Sequence, residues 1–213
     1  MTKLTQTNET NNSTTFNAET PKIFLTDYAS YNNLEDTKKY FAIKQVFKFE
    51  ELTEEQKEKA VSKLREINVY HDWWDFIFQD AEEIGLKITS FDLDRNRHAK
   101  GILLNSGREV AEKIIKNHWQ ECETFKTASN FLTEWEELVK KYSDGVNTDI
   151  VTEENEYDFV QEADELEEDF LKDILEEYSI ILQNECDYLQ SDEAIIETIN
   201  SNEYFFDEEG NLI

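Results

Sequence analysis

The chain has 213 residues and a formal net charge of −28, from 49 acidic and 21 basic residues. A negative field of this size repels nucleic acid and anionic membranes, so we expect neither to be a direct ligand. Aromatic residues make up 13% of the chain, and there are only one Pro and five Gly, which predicts a folded and mainly helical protein.

The negative charge is concentrated in the last third of the chain. Residues 151–213 contain 22 acidic residues and one Lys, a net charge of −21, which leaves 27 acidic and 20 basic residues and a net charge of −7 for residues 1–150. Two cysteines, Cys122 and Cys186, allow at most one disulfide, which is typical of a reduced compartment. Since the sequence opens with no signal-peptide pattern and contains no long apolar run, we expect a cytoplasmic location in a host cell.

The amino-terminal region divides into a polar tail and a short strand. Residues 1–20 are mostly Thr and Asn and predict a disordered tail. The string KIFLTDYASYNN, residues 22–33, predicts a strand that ends in polar turn residues. It resembles the opening of the ArdA antirestriction proteins, acidic DNA mimics from mobile elements that inhibit type I restriction enzymes. We assign residues 21–39 to this ArdA-like segment, although the chain continues with Leu34 where that family usually has Gly.

Residues 40–213 predict a single α+β domain, mainly helical, with a small antiparallel sheet and a long acidic C-terminal helix. Capping boxes at Thr53–Gln56 and Ser106–Glu109 predict two helix starts. Three further helices are expected: one opening at Asp72 and stopping at Gly85, one over 124–142, and one over Glu193–Asn200 with Ser191 as its N-cap. The strands predicted for the sheet are Ile43–Phe49, Leu86–Asp94, Lys100–Asn105 and Glu203–Phe206.

A second resemblance covers most of the chain from Val46 onward. The strings KFEELTEEQKEKA, DWWDFIFQDAEEIGLKITSFDLDRNRHAKG and SDEAIIETI are similar to a family of phage-encoded proteins, most of them uncharacterised and some labelled antitoxins. This resemblance implies a virus or mobile element as the source. It supplies no catalytic residues.

Residues 152–202 form the acidic helical region. An apolar stripe with helical spacing runs along one side, and carboxylates occupy the other. The apolar positions are Phe159, Ala163, Leu166, Phe170, Leu171, Ile174, Leu175, Tyr178, Ile181 and Leu182. The residues predicted to bind a partner are Glu154, Asp158, Glu165, Glu168, Asp169, Asp173 and Glu176.

Motifs for catalysis or metal binding are incomplete. The run from Asp92 to Asn96 begins like a calcium loop, but Arg97 stands where Gly makes the turn and Leu103 where a bidentate Glu is required. His71 with Asp72 and Asp75 fits a helix start better than a metal site. Phosphate loops, nucleophile elbows and H-E-x-x-H are not found. We therefore predict no enzymatic activity, no cofactor and no metal, and we assign Trp73, Trp74, Phe76 and Phe78 to the core.

Three functions remain open after the motif search. The first is an anti-defence protein whose acidic face occupies the DNA- or RNA-binding groove of a host restriction or CRISPR-type nuclease. The second is an antitoxin-like protein that neutralises a basic toxin through the same helix. The third is a structural or regulatory phage protein whose charge only provides solubility. The first two predict a protein partner with a basic surface, and we favour the first.

Overall fold

The computed structural model describes residues 23–26, 42–143 and 156–213, and it confirms the predicted α+β, mainly helical fold. The described residues form two compact units: those of Met1–Lys63 together with Ile199–Ile213, and those of Leu64–Thr198. The tail predicted for residues 1–20 and most of the ArdA-like segment 21–39 lie outside the described residues. The single domain predicted for residues 40–213 stays a prediction.

The first unit contains two short antiparallel ladders and one helix. Strand β1 (Ile23–Thr26) pairs with β2 (Ala42–Gln45), which confirms the strand predicted at the start of the ArdA-like segment. Strand β3 (Phe47–Lys48) pairs with the two-residue strand Phe205–Phe206, and Glu54–Lys63 forms helix α1. The capping box before α1 is confirmed, because the Thr53 backbone N–H donates to the Gln56 side chain at 2.8 Å.

The continuous strand predicted over Ile43–Phe49 is wrong. Val46 interrupts the strand, and Phe49–Glu51 wind into a 3-10 turn closed by a backbone hydrogen bond from Leu52 to Phe49. Val46 and Phe49 are therefore both buried, although strict alternation would put them on opposite faces. The Phe49 ring lies 6.0 Å from that of Phe206, and both side chains are buried.

The second unit is built from helices around one hairpin. In chain order its elements are α2 (Asp75–Ile84), β4 (Leu86–Asp92), β5 (His98–Leu103), α3 (Gly107–Asn117), α4 (Glu123–Tyr142), α5 (Glu156–Leu189) and α6 (Asp192–Ser201), of which α6 continues past the end of the unit. Strands β4 and β5 are antiparallel, with Leu86 opposite Leu103. Helix α5 contacts α2, α3, α4 and β5, so these four elements all pack against one helix.

The single predicted sheet is also wrong. The described strands form three separate two-stranded ladders, β1 with β2, β3 with Phe205–Phe206, and β4 with β5. Alternation in the sequence identifies strands, but it does not say which strands pair. In the second unit, the β4–β5 hairpin packs against helices and does not pair with further described strands.

Helix α2 begins three residues later than the predicted start at Asp72. The Asp75 backbone N–H donates to the Asp72 carbonyl in the turn before the helix, and the N-cap of α2 is Trp74 instead of Asp72. The rings of Trp73 and Trp74 both lie within 6 Å of the Phe91 ring, at 5.9 and 5.3 Å. Packing of the two indole rings, and not the N-cap signal at Asp72, therefore determines where α2 begins. Phe76, expected in the core, is 56% exposed.

Three other helix termini are as predicted. Gly85 follows α2 with a φ of 94°, a left-handed conformation that favours Gly. The Ser106 hydroxyl accepts from the Glu109 backbone N–H at the start of α3. The Ser191 hydroxyl accepts from the Ala194 N–H at the start of α6.

An unusual residue, Glu203, follows the end of helix α6. Glu203 has a φ of 51°, and the backbone N–H groups of Glu203 and Tyr204 donate to the Asn200 and Ile199 carbonyls. These two bonds make a Schellman motif, whose left-handed position is normally Gly because a side chain there is strained.

We expect Glu203→Gly to stabilise the protein by about 0.5–1 kcal/mol, because it relieves this left-handed strain. The measurement is the midpoint of chemical unfolding. Glu203→Ala is the matched control, since it removes the same carboxylate but keeps a β-carbon. An equal gain from both variants would contradict backbone strain as the cause.

Candidate functional site: the acidic face of the long helix

Helix α5 has 34 residues, which corresponds to about 50 Å at 1.5 Å per residue. Its apolar stripe is buried along most of its length, with Phe170, Ile174, Tyr178 and Leu182 each 3% exposed or less. The Phe170 ring stacks on that of Phe131 in α4 at 4.3 Å. This packing fixes the rotation of α5 and therefore which side faces solvent.

The buried side of α5 differs from the predicted stripe at two positions. Ile181 was expected to be buried but is 37% exposed, whereas Ser179 is fully buried. The stripe shifts around the helix because its neighbours differ, with α4, β5, α2 and α3 all packing against α5. A uniform helical wheel cannot represent such a shift.

The opposite side carries exposed carboxylates in a row. Glu154 lies outside the described residues, and the six other residues predicted to bind a partner are all exposed. We call these six residues the acidic row: Asp158, Glu165, Glu168, Asp169, Asp173 and Glu176. From Asp158 to Glu176 the row extends over 18 residue steps of the helix, about 27 Å.

Among the described residues, one cation is paired with the acidic row. Among the described residues, Arg97 forms the one ion pair to the row, with its guanidinium donating to Glu176 at 2.6 Å. The same guanidinium donates to the buried Ser179 hydroxyl at 3.1 Å. Lys172, the one cation within α5, is exposed and forms no ion pair with any described residue. Five of the six carboxylates thus lack a cationic partner in the described part of the chain.

Two other carboxylates of α5 have structural roles. The Glu162 carboxylate accepts from the Lys141 ammonium at 2.6 and 2.7 Å and from the Tyr142 hydroxyl at 2.8 Å. These hydrogen bonds lower the pKa of Glu162 and raise the pKa values of Lys141 and Tyr142. The Glu167 carboxylate accepts from the Gly107 backbone N–H at 2.8 Å, where α3 begins. A negative charge at a helix amino terminus is favourable.

Beyond the row, the acidic surface continues from α5 onto α4. Burial raises the pKa of Glu177, and the charges of Glu123 in α4 and of Glu176 and Asp173 raise it further, while Arg97 lowers it. Glu177 is therefore a half-buried carboxylate among like charges. The sequence gives no sign of this group, because it depends on how α4 lies against α5.

A buried polar network connects four parts of the second unit. The Tyr178 hydroxyl donates to Asp80 at 2.7 Å, and burial followed by this bond raises the pKa of Tyr178 well above its usual range. His118 lies 2.8 Å from the Thr124 hydroxyl, and its Nε2, buried without a hydrogen bond, lies 3.8 Å from Asp80 Oδ1. Since Tyr178 and Thr124 are buried, this network holds helices together rather than presenting reactive groups to a substrate.

Outside the acidic row, the described residues offer clefts but no cluster with the arrangement of a metal site. Asp92 accepts from the Asp94 backbone N–H at 2.8 Å, which makes a local turn of the calcium-like run. No group of three or more His, Cys, Asp or Glu in the described ranges has the arrangement of a metal site. One cleft of about 380 Å³ lies along α3 and α4, and another of about 370 Å³ lies between β5 and α5, next to Glu168 and Glu176.

We predict that Glu167→Ala destabilises the protein by about 1 kcal/mol, because the first turn of α3 loses an acceptor and a favourable charge. Chemical unfolding measures the change. Glu168→Ala is the control, since Glu168 is the adjacent residue, is exposed and belongs to the acidic row. Equal destabilisation by the two variants would contradict the different roles of these neighbours.

No described helix is long and apolar enough to cross a membrane.

Comparisons with known proteins add no relative. No family model, no curated protein and no solved structure matches the chain. The resemblances to the ArdA proteins and to the phage-encoded family stay predictions, and the functional inference rests on the geometry and charge of the residues themselves.

Proposed function

We propose that this protein is a non-enzymatic anti-defence protein of phage or mobile-element origin. Its acidic row occupies the nucleic-acid-binding groove of a host restriction or CRISPR-type nuclease, so that inhibition is a competition between two anions for one basic surface. The observation that supports the proposal best is the row itself, in which five of six exposed carboxylates have no cationic partner among the described residues.

The carboxylates of the row recur at an axial spacing within about twofold of that of nucleic-acid phosphates. Glu165, Asp169 and Asp173 follow one another at four-residue intervals, about 6 Å along the helix axis. One strand of duplex DNA carries a phosphate about every 3.4 Å along its axis. A protein that recognises DNA largely through phosphate charge can accept such a row, because phosphate contacts carry little sequence information.

Solubility alone explains the row less well. Like charges four residues apart destabilise a helix by about 0.2–0.5 kcal/mol per pair, and the row contains two such pairs in succession, Glu165 with Asp169 and Asp169 with Asp173. A helix that needs only solubility can mix Lys with Glu and gain favourable pairs instead. The burial of the apolar stripe offsets this repulsion and keeps the carboxylates in place.

The first test is capture of partners from a host lysate on the immobilised full chain, at low and high salt, with duplex DNA as competitor. We expect to recover a nuclease or its DNA-reading subunit, which excess DNA and high salt release. A partner that stays bound in excess DNA and high salt would contradict mimicry. A small basic protein held in that way would fit the antitoxin alternative.

Reversing the charge of the row should abolish this capture. We expect the triple variant Glu165→Lys, Asp169→Lys, Asp173→Lys to weaken binding to the captured partner at least about 100-fold, with the helical circular-dichroism signal retained. The control carries the same change in net charge on exposed residues of α1, α2 and α6: Glu58→Lys, Glu82→Lys and Glu197→Lys. Equal loss in both triple variants would show that only net charge matters.

Removing the cation that neutralises the row should have the opposite effect. We expect Arg97→Gln to increase partner affinity by about two- to fivefold, because Glu176 becomes free to contact the basic groove. Binding titration at constant ionic strength measures the effect. Weaker binding by a variant that remains folded would show that the ion pair, rather than the free carboxylate, is what the partner recognises.

A further inference from the structure

The residues that follow α6 form a small hairpin with hydrogen bonds of its own. Phe206 pairs with Leu212 as an antiparallel bridge, and the Asp207 carboxylate accepts from the Asn211 backbone N–H at 2.8 Å. The Asn211 side chain donates to the same carboxylate at 2.8 and 3.0 Å. We call this segment the 204–213 hairpin. Because these bonds lie inside the segment, the hairpin can leave its place and keep its shape.

Contacts to the rest of the first unit hold the 204–213 hairpin in place. Phe206 is fully buried, its ring lies 6.0 Å from that of Phe49, and strand Phe205–Phe206 pairs with β3. The Gln56 side chain of α1 donates to the Glu208 carbonyl at 2.7 Å. The same contacts can form whichever copy of the chain supplies the hairpin, because the exchanged segments are identical.

A single strained residue joins α6 to the hairpin. Glu203 has a φ of 51°, a left-handed conformation that non-glycine residues seldom adopt. A gap of about 120 Å³ lies beside this joint, and Lys48, Asn200 and Tyr204 are among the residues that line it. The gap leaves room for Glu203 to change conformation. A short connection under strain favours exchange of the segment that it holds.

We propose that two copies of this chain exchange their 204–213 hairpins and form a domain-swapped dimer. Glu203 is extended in the dimer, and the hairpin of each copy pairs with β3 and α1 of the other copy. The contacts of Phe206 and Gln56 are the same in both states, whereas the left-handed strain is present in the monomer alone. Exchange therefore relieves strain at two hinges per dimer. Because association has an entropic cost, the dimer accumulates as the protein concentration rises.

The acidic row lies in the second unit, whereas the hairpin, β3 and α1 all belong to the first. The exchange therefore does not involve the row, and this inference is independent of the proposed function.

Exchange can be detected by disulfide formation between two different copies of the full chain, both with Cys122→Ser and Cys186→Ala. One copy carries Lys48→Cys and the other Phe205→Cys, since these two positions face each other across β3 and the hairpin. Opposed residues in an antiparallel pair lie within disulfide distance. We therefore expect an interchain disulfide after the two copies are unfolded together and refolded under oxidising conditions at high protein concentration. Mass spectrometry of the unreduced protein measures it.

Two controls separate exchange from accidental contact. A single chain with both Lys48→Cys and Phe205→Cys should form the intrachain disulfide when it is refolded at low protein concentration. A mixture of Lys87→Cys and Ile102→Cys chains should form no interchain disulfide, because these opposed positions lie in β4 and β5, which stay within one copy. Equal interchain yields from the two mixtures, or none from the first mixture when the intrachain bond forms, would overturn the exchange.

The residue at position 203 should determine how much dimer forms. We expect Glu203→Gly to lower the dimerisation constant about 4- to 25-fold, since relief of strain in the monomer is worth about two- to fivefold at each of two hinges. Glu203→Val should raise the constant, because a β-branched residue is seldom left-handed, and Glu203→Ala should leave it almost unchanged. Sedimentation equilibrium of the reduced full chain, after the same refolding, measures the constant. Equal constants for the Gly and Val variants would overturn the role of Glu203 as the hinge.

Discussion

Burial of the apolar stripe of α5 is the interaction on which the second unit depends. The stripe meets α4 through the stacked rings of Phe131 and Phe170, and it meets β5 where Gly101 lets the hairpin approach. A β-carbon at Gly101 would lie 3.0 Å from a Leu175 methyl group and 2.5 Å from the Lys87 carbonyl oxygen. Because hydrophobic burial supplies most of the stability of a helix, this packing lets α5 carry a surface that its own charges disfavour.

The acidic residues of α5 divide into those that stabilise the fold and those that remain available. Glu162 holds the ends of α4 and α5 together, Glu167 caps α3, and Glu176 binds Arg97. The other five carboxylates of the acidic row point to solvent without cations among the described residues. A highly charged helix can therefore be both a structural element and a recognition surface, because the two roles use different sides of one cylinder.

Electrostatic attraction and apolar contact have different consequences for recognition. Exposed carboxylates steer a basic partner and make the association sensitive to salt, but each contributes little affinity. An exposed aromatic ring adds contact that salt affects less, and such rings account for much of the affinity at many interfaces. Under the proposed function, the acidic row would therefore give a fast, salt-sensitive encounter with the partner.

The sequence by itself determined the mainly helical class, the helix caps at Thr53, Ser106, Gly85 and Ser191, and the acidic and apolar sides of α5, because these features depend on residues close together in the chain. Only the tertiary structure decided how the strands pair and which carboxylates are neutralised. Gly107 and Glu167 are 60 residues apart, and Arg97 and Glu176 are 79 apart. Local periodicity contains no information about such contacts, and the same reason explains the exposure of Phe76 and Ile181 and the late start of α2.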